Sequence, residues 1–127
     1  MKKSIFLFLA LVLCVSCTSC TRLPDHMSRK VYNAAIDVLK SVDKFIYDGQ
    51  DAEETYDTVS NSSDILHAQT VKSEAAYRKL EILSCEFNIC LLSLDAYSRG
   101  FYTFEKTCDH LLDARNDLAE TLGKPTR

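Results

Sequence analysis

Between Ser73 and Tyr97 the apolar residues Ala76, Leu80, Leu83, Phe87, Cys90, Leu94 and Tyr97 alternate at steps of four and three without interruption. This spacing keeps one face of a helix apolar for about six turns. A strand, with side chains alternating every second residue, does not produce it. A second stripe of Ile82, Cys85, Ile89, Leu92 and Ala96 flanks the first, so the segment is apolar around more than half its surface. Such a helix is expected at the centre of the fold, packed on two neighbours.

The rest of the chain supplies those neighbours. Ser28 is a fair N-cap, and Val31, Ala35, Val38, Val42 and Phe45 step along one face, widened by Tyr32, Ile36, Leu39 and Ile46, until Asp48-Gly49. Asp51 can cap a second helix, with Glu53 and Glu54 suited to its N-terminal dipole. Its stripe is Ala52, Tyr56, Val59, Ser63 and Leu66, and the weak run Ser60-Asn61-Ser62-Ser63 allows a break. Arg99-Gly100 makes a turn. A fourth helix is expected from about Phe101 to Leu122, carrying Phe101, Phe104, Cys108, Leu111, Leu118 and Leu122 before Gly123 and Pro125.

Only 3 Gly and 2 Pro in 127 residues leave little turn chemistry for a sandwich or barrel. The expected fold is all-α: a small antiparallel up-down bundle of about four helices crossing near 20°. It occupies residues 28–123, after a tether at 21–27 and before a tail at 124–127.

Residues 1–20 read differently. Lys2 and Lys3 precede the apolar run Ile5 to Val15, and small polar residues with Cys17 and Cys20 follow. That is the three-part layout of a secretory signal peptide. The run is well short of the roughly twenty apolar residues a spanning helix needs. Small residues directly before a cysteine at this place resemble the lipobox of bacterial lipoproteins. The resemblance covers the first twenty residues. It implies a diacylglycerol thioether on the cysteine sulfur, further acylation of palmitate type, and cleavage just before that cysteine. Cys17, after Val15-Ser16, directly follows the apolar run and is favoured; Cys20, after Thr18-Ser19, is the alternative. The bulky Leu13 disfavours Cys14. Thr18 (or Thr21) after the modified residue, in place of Asp, implies onward transport to an outer membrane where the source has two. The chain is thus expected to be exported and lipid-anchored in the cell envelope, on the cell membrane or outer membrane. A cleaved signal releasing a soluble protein is the competing reading.

Export places the remaining cysteines where disulfides persist. Cys85 and Cys90 lie too far apart along one helix to bridge. Cys90 and Cys108 stand almost equally far from the Arg99-Gly100 turn, each on an inward stripe, so a Cys90–Cys108 disulfide is expected. Cys85 is then a buried free thiol acting as a small hydrophobe, or a partner for Cys20.

The remaining signals point away from chemistry. Cys108-Asp109-His110 has neither zinc-knuckle spacing nor a nucleophile geometry, because residues two apart on a helix diverge. His26 and His67 have no partner in the sequence. The acids from Asp48 to Asp57 break calcium-loop spacing and read as a capped helix start. Asn61-Ser62-Ser63 is formally a glycosylation sequon but reads as a weak helical turn. Net charge is −3, and −5 once a signal carrying two lysines is removed, so no basic surface attracts nucleic acid. No catalytic residue, metal site or cofactor is expected.

Tyr97, Arg99, Phe101, Tyr102 and Phe104 crowd the third turn, either as a patch for a protein partner or as the seal of one bundle end. Tyr32, Tyr56 and Tyr77 are expected in the core or half-buried. The expected function is a membrane-anchored module that binds an unidentified protein or associates within the envelope. A ligand carrier or small enzyme using the bundle interior is the alternative. A structural protein that packs or oligomerises would leave an exposed apolar stripe on the third helix.

Overall fold

Helix α1 (Arg29–Asp48) begins where the Ser28 hydroxyl accepts a hydrogen bond from the Val31 amide at 3.2 Å. It ends at Gly49, whose φ of 71° is the left-handed cap that glycine adopts without a Cβ penalty. The structure is a computed structural model and describes residues 22–127. The expectations for residues 1–20, including Cys14, Cys17 and Cys20, lie outside the described residues.

Three more helices follow. Asp51 accepts from the Glu53 amide at 2.9 Å to open α2 (Ala52–His67), and Ser73 accepts from the Ala76 amide at 3.2 Å to open α3 (Glu74–Ser98). Thr103 accepts from the Lys106 amide at 3.2 Å to open α4 (Phe104–Thr121). Each helix packs on its neighbours in sequence, and α4 closes the ring against α1. This is the expected all-α bundle of four helices; among the described residues there is no strand.

The core runs the length of the bundle. Val38 and Val42 from α1, Val59 from α2, Leu83, Phe87 and Leu94 from α3, and Leu111 and Leu118 from α4 are fully buried. Its polar content is largely satisfied locally. Buried Thr55 and Thr107 donate to the carbonyls of Asp51 and Thr103, one turn back. The Gln50 amide reaches Ser41 at 2.7 Å and Thr55 at 2.9 Å, tying the α1–α2 turn to both helices.

Three details differ from the sequence reading. Helix α2 does not break at Ser60–Ser63: Ser62 and Ser63 are buried, small enough to sit at the packed face, so packing overrides propensity. Val59, Ser63 and Leu66 of its expected stripe are buried and Ala52 packs on the core, but Thr55 takes the inside position and Tyr56 is left exposed; Tyr77 on α3 is exposed as well. Helix α4 starts at Phe104, three residues later than expected. The amides of Phe101 and Tyr102 are engaged by the Ala96 carbonyl at 2.8 and 3.2 Å, so these residues finish α3.

The α1–α4 seam is closed by an ion pair. Arg115, buried on α4, holds Asp43 of α1 in a two-pronged contact, Nε to Oδ1 at 2.9 Å and Nη2 to Oδ2 at 3.2 Å. Its Nη1 donates to the Pro125 carbonyl at 2.8 Å, and Asn116 exchanges two hydrogen bonds with the Arg127 backbone. The tail at 124–127 is thereby folded onto the seam.

Candidate functional site

The crowded residues around the third turn do not form one patch. Tyr97 and Phe104 pack with buried Phe45, with ring centroids 5.7 Å apart for Phe45–Tyr97 and 5.4 Å for Phe45–Phe104. This trio seals the bundle end by edge and tilted contacts, the arrangement aromatic quadrupoles favour. Tyr102 belongs to a separate group: it stacks on His110 at 5.4 Å, and the Lys106 ammonium sits 4.1 Å above its ring. Arg99 is held by Asp95 at 2.9 Å. Phe101, 76% exposed, is the one large apolar side chain of the five left facing solvent without a ring partner.

The cysteines also differ from expectation. Cys85, Cys90 and Cys108 are all free thiols, and there is no Cys90–Cys108 bridge. The reason is the register of α4. Thr107, Leu111, Ala114 and Leu118 take its core positions, and Cys108 is rotated by about 100° from Thr107. Cys108 therefore lies on the flank of the core while Cys90 lies within it. Burial pushes the Cys90 thiol up to about 12, with the Glu86 carboxylate adding to the effect. Burial and then Asp109 raise Cys108. Neither favours the thiolate that nucleophilic chemistry needs. His110 is engaged with Tyr102.

Glu86 is the buried acid that sequence reasoning missed. It lies on α3, Oε2 has no hydrogen-bond partner among the described residues, and burial first and Asp117 second raise its pKa. Among those residues no group of three or more His, Cys, Asp or Glu side chains is placed to hold a metal, and no helix is long and apolar enough to cross a membrane.

The largest departure is on the outer face of α3. Inner residues Leu83, Phe87, Cys90 and Leu94 are buried as expected, with α2 on one side and α4 on the other. The second stripe is only partly covered. Ile82 is 45%, Ile89 37% and Leu92 70% exposed, and Cys85, expected buried, is exposed between them. Two neighbours cover an arc of a helix, and the remaining arc of α3 is where these residues fall. A row of large apolar side chains on one exposed face is a surface suited to association. The signal was present in the sequence as the second stripe, but periodicity does not say which stripe is covered.

No family model, curated protein or solved structure matches the chain.

Proposed function

We propose that this chain is an exported bacterial lipoprotein, held on a membrane through an acylated Cys17 (or Cys20), whose helical bundle is a non-catalytic association module of the cell envelope. The observation that carries this reading is the uncovered apolar row of Ile82, Ile89 and Leu92 on α3. The interior is filled by its own aliphatic and aromatic side chains, so the apolar surface left for interaction is on the outside, where it meets another macromolecule. The layout of residues 1–20 supports the anchor, and several acyl chains hold a small domain on a bilayer where one chain does so only marginally.

Intact mass of the protein purified from membranes tests the anchor. The expected mass is that of a chain beginning at Cys17 with acyl groups, and Cys17→Ser moves the protein out of the membrane fraction while Cys20→Ser does not. The reverse pattern assigns the lipid to Cys20. An unlipidated mature mass overturns the anchor and leaves a secreted helical protein.

A further inference from the structure

We propose that the outer face of α3 pairs with the same face of a second copy of this chain, the two helices running antiparallel. Ile82, Cys85, Ile89, Leu92 and Ala96 follow steps of three, four, three and four, the a/d spacing of a two-helix seam. At 100° per residue the first four fall within an arc of about 80°. An arc that narrow matches one helix, whereas a helix lying in a lipid surface presents a broader apolar face with basic flanks. Here Glu81, Asn88 and Asp95 flank the stripe on one side, and buried Glu86 with a single base, Lys79, on the other.

Charge decides the direction and the occupant. An ion pair stands at each end of the stripe, the acid four residues before the base each time: Glu74–Arg78 at 2.6 Å and Asp95–Arg99 at 2.9 Å. All four side chains are largely exposed. Ile82, Cys85, Ile89 and Leu92 are symmetric about residue 87, while Ala96 falls opposite Arg78 of the second copy. A two-fold axis at that level sets Ile82 against Leu92 of the second copy and Cys85 against Ile89 of the second copy. The same operation brings Glu74 within one residue of Arg99 of the second copy, and Arg78 within one residue of Asp95 of the second copy. Both ends then meet opposite charge, and the surface is self-complementary, as a two-fold interface requires. A parallel pair sets Arg78 on Arg78 and Glu74 on Glu74. Glu81 meets no basic residue in the antiparallel pair, and a single helix face lies at the small end of specific interfaces, below about 1,200 Å² in total. The dimer is accordingly weak and favoured by crowding on a membrane. The pairing rests on the reading of the α3 face as an association surface and is independent of the lipid anchor.

The test uses the full chain in intact cells that make it, treated with a mild membrane-permeant oxidant, fractionated afterwards, and resolved without reductant. Ile89→Cys sets two cysteines, native Cys85 and the new one, opposite their counterparts. The expected result is at least a tenfold increase in reducible dimer over the parent chain, lost when Cys85→Ser is added. Ile82→Cys alone gives no increase, and combining it with Leu92→Cys does. In the Ile89→Cys background, Arg78→Glu lowers the dimer several-fold and Asp95→Lys added to it restores the yield. A dimer from Ile82→Cys alone means parallel pairing and overturns the proposal. No increase from Ile89→Cys in a chain that circular dichroism shows to be helical overturns it too. Fractionation of the same samples reports the anchor separately: membrane-bound monomer rejects the pairing and keeps the lipid.

Discussion

Helix α3 carries two apolar stripes of similar length and spacing with opposite fates. Leu83, Phe87, Cys90 and Leu94 are excluded from water; Ile82, Cys85 and Ile89 meet it over part of their surface and Leu92 over most of its own. Each stripe even includes one cysteine. The difference is made by the neighbours. A four-helix ring gives α3 two flanking helices and a core on one side, and no further helix among the described residues packs on its other side. Hydropathy measures how much a residue gains by leaving water, and the architecture determines whether it leaves.

The cysteines break this comparison most sharply. Cys90 is fully buried, with its thiol pushed up to about 12, so the reactive thiolate is disfavoured and reagent has no access. In native protein a maleimide is expected to label Cys85 in minutes and Cys90 only through unfolding, a rate difference of several orders of magnitude, read by peptide mass. Equal labelling of the two would mean that the stripes are not separated as described.

Truncation gives the next largest contrast. Phe87→Ala is expected to cost about 3–5 kcal/mol, because it opens a cavity in a core with few layers. Leu92→Ala is expected to change monomer stability by no more than about 0.5 kcal/mol. Urea unfolding of both variants at low concentration measures the pair.

The same inside-outside comparison applies to ion pairs. Arg115→Ala removes the buried partner of Asp43 and the donor to Pro125, and about 3 kcal/mol of stability should be lost with it. Arg78→Ala breaks an exposed i,i+4 pair and is expected to cost about 0.3–0.5 kcal/mol. A double-mutant cycle of Arg115 with Asp43 isolates the coupling.

The smallest effect concerns Glu86. Its folded pKa is raised, so the folded chain holds this proton more tightly than the unfolded chain. Its contribution is therefore most favourable at low pH. It declines as pH rises from the ordinary carboxylate value of 4.5 through the raised folded value. Glu86→Gln is expected to stabilise the protein by about 1 kcal/mol at pH 7, with the difference shrinking toward pH 4. Thermal unfolding across that range checks the sign, and a destabilised Gln variant at pH 7 would show that the charge has a partner.

Much of the fold was legible because it is written locally. Ser28, Asp51, Ser73 and Gly49 terminate helices through bonds to residues within five positions. The start of α4 was misplaced because Phe101 and Tyr102 read as helix formers while their amides serve the end of α3. On α2, Val59, Ser63 and Leu66 fall inside as expected and Tyr56 was misplaced, because hydropathy ranks it above Thr55, whereas the packed face admits a small side chain whose hydroxyl bonds back to Asp51. The aromatic cluster was legible as a group, but its division was not: Phe45, 59 residues before Phe104, takes two of its members.

By itself, the order of residues determined four helices, the caps at Ser28, Gly49 and Asp51 and the apolar faces available to them, since these depend on spacing and on neighbours a few positions away. Only the tertiary structure decided that Arg115 meets Asp43 across 72 positions, that Cys108 turns aside from Cys90, and which stripe of α3 stays in water. Those outcomes depend on how whole helices rotate against one another, and rotation is settled by the combined packing of all four.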